Sequence, residues 1–225
     1  MNRCSRGLVL AQKGAKLKLL TVRKGGVASL SNRTCCSAGD GKECGDRRLR
    51  PFLLDNPLRR FLSPPEKLLE GHAKAGMLVA DLGCGPGYIT LPAAEMVGES
   101  GRVHAIDFDE KHITEVQKKA ERKGLGNIEA RVSSAASVHF IPSESVDLII
   151  ANGLLCCMVD HEGSLKEIHR IMKPGGEAYL SVTRFGRRRD RMHVAKEEWE
   201  SILAQFSVKA RGEKITGRWA WVQRP

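Results

Sequence analysis

Val79-Ala80-Asp81-Leu82-Gly83-Cys84-Gly85-Pro86-Gly87-Tyr88 sets the architecture of the segments on either side of it. A short apolar run beginning at Met77 ends in an acid and breaks at once into alternating glycines, the pattern of a buried strand entering a tight turn. Beyond the turn Ile89, Leu91, Ala93, Ala94 and Met96 keep helical spacing, so the glycines fall between a strand end and a helix start. Glycines at such a place let backbone N–H groups approach a charged ligand, and the helix N-terminus adds partial positive charge. The dinucleotide fingerprint needs a third glycine three residues after the second. That position is Tyr88, and the third glycine falls at Gly87 instead. A strand-to-helix turn that binds nothing has the same local signature, so the neighbouring segments must decide.

At 225 residues the chain can hold one domain with a full core. It contains no run of eighteen apolar residues, which predicts no membrane-spanning helix and no membrane partner. Net charge is +11, but residues 1–50 carry 12 Lys/Arg against 3 Asp/Glu, leaving 25 against 23 for residues 51–225. The basic character belongs mainly to the tail, which reads first as a solvated segment and second as a nucleic-acid arm. Residues 1–50 are expected to be mostly disordered and outside the catalytic fold. Their Arg-rich composition, with no acid before Asp40, also matches an organellar transit peptide. Seven cysteines, an odd number, with one inside the glycine turn and no signal-peptide pattern, point to a reducing cytoplasm. Cys35, Cys36 and Cys44 lack paired C-x-x-C spacing, so no metal site is expected.

From Pro51 onward the segments alternate. Ser63-Pro64-Pro65-Glu66 predicts a helix capped by Ser63 with Pro64 in its first position, running through Leu68, Leu69 and His72 to Gly76. Arg102-Val103-His104-Ala105-Ile106-Asp107 is a second strand, ending in an acid 24 residues after Gly83, where a carboxylate can accept both ribose hydroxyls of a nucleotide. Asp109 is placed to cap the helix that follows, whose Ile113, Val116 and Ala120 face inward. Ile128 to Val132 is a third strand, and Ser145 to Gly153 the fourth strand and its end. A helix from Leu165 is expected to stop at Pro174-Gly175-Gly176 and launch a fifth strand over 177–182. After a helix over about 195–206, two last strands read as an antiparallel pair, 207–211 and 218–222.

Asp-Leu-Gly-Cys-Gly-Pro-Gly at 81–87 resembles motif I of the class I S-adenosylmethionine-dependent methyltransferases, and Asp107 resembles their motif II. The segment Glu167 to Gly176 is similar to the E-x-x-R-x-x-K-P-G-G segment of the small-molecule (type 11, UbiE-like) branch. The resemblance covers residues 51–225 and implies an α/β, Rossmann-like, doubly wound seven-stranded sheet, mostly parallel with an antiparallel last strand. It implies S-adenosyl-L-methionine as cofactor and S-adenosyl-L-homocysteine as product. Asp81, Gly83, Cys84, Gly85 and Gly87 would surround the methionine end, Asp107 the ribose, and Phe108, Ser134 and Ala135 the adenine, with Asn152 at the methyl side. The family usually has an acid where Ser134 stands, and a serine brings a hydrogen bond without the charge.

Asn152 and His161 are the candidate catalytic residues. His161 reads either as a general base or as a surface histidine opening a helix. Cys156 and Cys157 read first as core filler and second as thiolates for a soft substrate. Asn56, Arg59 and Arg60 either line the active-site mouth or form an exposed basic turn. Asn152-Gly153-Leu154-Leu155 lacks the Asn/Asp-Pro-Pro-aromatic motif of the amino-methyltransferases of nucleic acids. A small-molecule acceptor is therefore the leading expectation. An RNA or protein substrate is the alternative, on the arginines between Arg184 and Arg191, and a non-catalytic cofactor-binding protein a third reading. A domain without a lid could borrow a second subunit, as a homodimer, to close its site.

Overall fold

Leu78–Leu82 forms β1, with all but its first residue buried, because it lies mid-sheet with a neighbour on each side. The computed structural model describes residues 54–183, 193–214 and 217–225; the tail 1–50, the run 184–191 and Cys35, Cys36 and Cys44 lie outside them. Arg102–Asp107 (β2), Ile128–Val132 (β3), Val146–Asn152 (β4), Met172–Thr183 (β5), Ser207–Lys214 (β6) and Gly217–Gln223 (β7) complete a seven-stranded sheet in the order β3-β2-β1-β4-β5-β7-β6. Strands β1 to β5 pair in parallel, and β7 runs antiparallel to β5 on one side and β6 on the other. The order reverses between β1 and β4, and ligands in open α/β sheets bind in the crevice at the strand ends there.

Alternation along the strands feeds two cores, one on each face. Ile149 and Ala151 join Ala80, Leu82, Leu180 and Val222 on one face; Leu148 and Ile150 join Val79, Val103 and Trp221 on the other. Helices cover both faces: Pro57–Leu62 (α1), Pro65–Leu69 (α2), Thr90–Val97 (α3), Glu110–Lys123 (α4), His161–Ile171 (α5) and Lys196–Leu203 (α6). Leu165, Ile168, Trp199 and Ile202 of α5 and α6 pack into the first core, whereas Leu69, Ala93, Ala94 and Val97 of α2 and α3 pack into the second. As expected, Asp109 caps α4, accepting from Lys111 N at 3.0 Å, and Gly124 ends it in the left-handed region.

Local chemistry overrides the sequence expectation at two helix ends. Ser63 is not an N-cap: it closes α1, whose own cap is Asn56, while α2 starts at Pro65 behind an extended Pro64 and ends at Leu69. The second proline of the pair disfavours helical backbone at the first. Likewise α5 stops at Ile171, before Pro174-Gly175-Gly176, and β5 begins at Met172. Pro174 pushes Lys173 into extended backbone. The extra residues are absorbed by a shift of register, with Val146 opposite Met172 but Leu148 opposite Glu177.

Candidate active site

The glycine turn is fixed by β2. Gly83 N and Cys84 N both donate to Ile106 O, at 2.8 and 2.9 Å, and Gly85 N donates to Asp107 Oδ2 at 2.8 Å. Gly83 has φ +75°, and a Cβ there would lie 2.9 Å from Leu154 Cδ1, so only glycine leaves the turn its shape and the space beside it open. Gly83 and Gly85 border a cavity of about 470 Å³ at the strand ends. Gly87 does not: a Cβ on it would meet Val116 Cγ2 of α4 at 3.2 Å, which makes it a helix-packing glycine.

Asp107 closes β2 on the cavity wall, buried, with Oδ2 taking Gly85 N and Oδ1 taking Asp109 N at 2.9 Å. Phe108, Ser133, Ser134 and Ala135 extend the wall, and Ser134 Oγ accepts from Ala136 N at 3.2 Å. Asn152 ends β4, its Oδ1 accepting from the Ser181 hydroxyl at 2.8 Å while Ser181 Oγ accepts from Gly153 N at 3.0 Å. That exchange ties the ends of β4 and β5 together beside the cavity.

Asp81 borders a smaller cavity of about 50 Å³, shared with Gly83, Gly85 and Asn152. It is 2 % exposed, and Thr90 Oγ1 donates to its Oδ2 at 2.6 Å. Burial pushes its pKa up to about 7, against the Thr90 hydrogen bond and with the charge of Asp107 adding. Cys84 borders the same small cavity, but its side chain packs with Ile113 and Val116, and burial holds its thiol well above the ordinary range. Thus Asp81, Cys84 and Gly87 stand off the large cavity, and Gly83, Gly85, Asp107, Phe108, Ser134, Ala135 and Asn152 come together on it.

His161 is not among the residues on that cavity. Its Nδ1 lies 2.9 Å from Glu198 Oε1 and its Nε2 lies 3.0 Å from Met158 O, joining α5 to α6. Burial pulls its pKa down, but the hydrogen bond and charge of Glu198, with the carbonyls of Leu155 and Met158, outweigh this and raise it. Both ring nitrogens thus face acceptors on neighbouring elements, away from the large cavity. Of the three candidate mouth residues, Arg59 alone borders the cavity, with Cζ 4.1 Å from the Tyr88 ring centroid, while Arg60 pairs with Asp55 at 2.7 Å.

Beyond Asn152 the cavity continues past Cys156, Cys157, Tyr179 and Thr183 to Lys214, Arg218 and Trp219. Both cysteines therefore face the site. The hydrogen bond from Cys157 is the main influence drawing Cys156 down to about 6; burial opposes it, and Thr183 adds to the lowering. Lys214, Arg218 and Trp219 were missed because the last two strands read only as a closing hairpin. The signal lay in topology: a reversed β7 lying beside β5 starts where β5 ends.

A family profile described as "Methyltransferase domain" matches residues 73–216, which include the wall from Gly83 to Thr183 but not Arg59, Arg218 or Trp219. The chain belongs to that methyltransferase domain family. It is similar to the aklanonic acid methyltransferase DauC of Streptomyces sp. (strain C5), 39% identical over 101 residues that make up 45% of this chain and 46% of the relative. It is also similar to the demethylmenaquinone methyltransferase of Geobacillus kaustophilus (strain HTA426), 32% identical over 119 residues, 52% of this chain and 50% of that one. The chain thus spans about half the length of these curated relatives. A crystal structure of a SAM dependent methyltransferase from Aquifex aeolicus superposes with TM-score 0.68 at 26% identity, over 79% of this chain and all of the other. Among the described residues no helix is long and apolar enough to cross a membrane.

Proposed function

We propose that this methyltransferase domain binds S-adenosylmethionine between Gly83 and Ala135 and moves its methyl group to a small molecule held beyond Asn152. The observation that carries the reading is the continuity of one cavity from the Asp107 carboxylate to the chamber around Tyr179 and Trp219. Two features support the fit of the cofactor. Asp81 is a buried carboxyl on the small cavity, and an ammonium group placed there would stabilise its charged form. The Gly83 and Gly85 positions leave open the space that a Cβ would fill.

When bound, S-adenosylmethionine supplies a methyl group made electrophilic by its sulfonium, and S-adenosylhomocysteine is left. The chain's own share is holding and shielding. Asp107 Oδ1 accepts Asp109 N with His112 Nδ1 3.2 Å away, whereas Oδ2, among the described residues, accepts only Gly85 N and has capacity for a ribose hydroxyl. Ser134 uses its oxygen on Ala136 N, which leaves its O–H to donate toward adenine. Asn152, held by Ser181, borders the methyl side. His161 takes no part. The relatives' names give two acceptors, aklanonic acid and demethylmenaquinone, and support a small molecule as the class without choosing one. A cavity of about 470 Å³ also favours a small acceptor over RNA or protein.

Calorimetric titration of the full chain with S-adenosylmethionine, S-adenosylhomocysteine and NAD, repeated on Asp107→Asn, tests the reading. Saturable binding of the first two, weakened at least roughly tenfold in the variant, is the expected result, since a charged hydrogen bond contributes about 1.5–3 kcal/mol. Binding of NAD alone, or of none of the three, would remove it.

A further inference from the structure

Two residues of opposite charge border the small cavity of about 50 Å³ beside the glycine turn. Asp81 comes from β1 and Arg59 from α1, and among the described residues on that cavity they alone carry charge. Arg59, like Gly83 and Gly85, borders the large cavity as well. Its position is set by several contacts. Arg59 N donates to the Asn56 side chain at 2.9 Å, which caps α1, and Nη1 donates to the Leu54 carbonyl. The guanidinium lies over the buried Tyr88 ring, 4.1 Å from its centroid, which holds the plane of the fork. Its neighbour Arg60 is spent on Asp55, through Nε at 2.7 Å and Nη2 at 3.0 Å. Arg59 has no such carboxylate among the described residues, and most of its five N–H donors are left for a ligand.

The segment that carries Arg59 is fastened to the turn itself. Asp55 also accepts from Lys119 Nζ of α4 at 2.8 Å, and the same ammonium donates to Pro86 O at 2.7 Å. The Tyr88 hydroxyl donates to Ser63 O at the other end of α1. Residues 54–63 lie outside the matched family span of 73–216, yet Leu54 and Arg59 border both cavities. Resting on the methyl-transfer reading above, we propose that this segment clamps the amino-acid end of the cofactor, Arg59 taking its carboxylate while Asp81 takes its ammonium group. A guanidinium fork matches the two oxygens of a carboxylate, and the two ends of the zwitterion then meet opposite charges in one small space. Asp55 is the positioning residue, tying Arg60 of α1 to Lys119 and so to the turn.

The test compares S-adenosylhomocysteine with its decarboxylated analogue, S-adenosyl-3-thiopropylamine, which keeps the amine and lacks the carboxylate. Both are titrated by calorimetry into the full chain and into Arg59→Gln. The natural chain should bind S-adenosylhomocysteine at least roughly tenfold more tightly than the analogue, the scale of a hydrogen bond to a charged group. Arg59→Gln should lower S-adenosylhomocysteine binding by about the same factor and leave the analogue unchanged. Equal affinities of the two ligands for the natural chain, S-adenosylhomocysteine binding unmoved by the variant, or an equal loss of both ligands would each overturn the proposal. The comparison on the natural chain needs no variant, so a misfolded Arg59→Gln would not shield the idea. If the clamp alone is wrong, S-adenosylhomocysteine still binds the natural chain; if the cofactor reading is wrong, neither ligand binds, and the clamp falls with it.

Discussion

Replacing Asp81 by Asn should change how stability and cofactor affinity depend on pH. In the ligand-free chain the Asp81 carboxyl is raised from its ordinary 3.8 to about 7, chiefly by complete burial. The folded state then holds this proton more tightly than the unfolded state, so stability from this group falls as pH rises from about 4 to about 7. At about 1.36 kcal/mol per pH unit, the ionised carboxylate costs the fold about 4 kcal/mol above pH 7, of which about 2 kcal/mol develops between pH 5 and pH 7. Asn keeps the shape and can still accept the Thr90 hydroxyl, but it carries no charge. Urea unfolding at pH 5 and pH 8 should therefore show the variant gaining about 3 kcal/mol on the natural chain between the two. Affinity for S-adenosylmethionine should do the opposite. It should rise with pH in the natural chain, as an ammonium group favours the carboxylate, and stay low and flat in the variant. Parallel pH dependences of stability in the two proteins, or tighter cofactor binding by the variant, would show that Asp81 is not the titrating group.

Gly83→Ala and Gly87→Ala should separate the two kinds of glycine. Each should cost roughly 1–3 kcal/mol, since both hold positive φ and both would crowd a neighbour, but only Gly83→Ala should also abolish S-adenosylhomocysteine binding by calorimetry. His161→Gln should leave methyl transfer and cofactor binding intact and lower stability by roughly 1 kcal/mol at pH 6. Because the folded His161 pKa is raised, its contribution is present below the unfolded value of 6.5 and fades as pH rises through the folded one, so the deficit should shrink by pH 8.5 in thermal unfolding. Cys156, with its thiol lowered to about 6, should react with iodoacetamide at pH 7.5 much faster than Cys84, and its rate should drop as pH falls through about 6; peptide mass spectrometry showing equal labelling of the two would contradict the site description.

Much of the fold was legible because its signals are local. The apolar run into Gly83, the acid at the end of β2 and the cap at Asp109 each follow from a few neighbouring residues, and each stands where expected. Gly87 and Cys84 were not separable from Gly83 and Gly85 by spacing, since their different role comes from α4 packing against the turn through Val116. Ser63 looked like a cap by residue type, but two successive prolines shifted the helix start. His161 was ambiguous because Glu198, the group that fixes its proton, is 37 residues away in sequence. Arg218 and Trp219 could be placed only once β7 was seen to insert between β5 and β6, a long-range pairing that alternation along a strand does not encode.

The cofactor proposed for this domain would lie on one wall, built by the glycine turn and the ends of β2, β3 and β4. Titrating the 15N-labelled full chain with S-adenosylhomocysteine and following backbone amide shifts tests it most directly. Saturable shifts centred on Gly83, Gly85, Phe108, Ala135 and Asn152, with His161 unmoved, are the expected result. Shifts centred elsewhere in the chain, or none at saturating ligand, would contradict it.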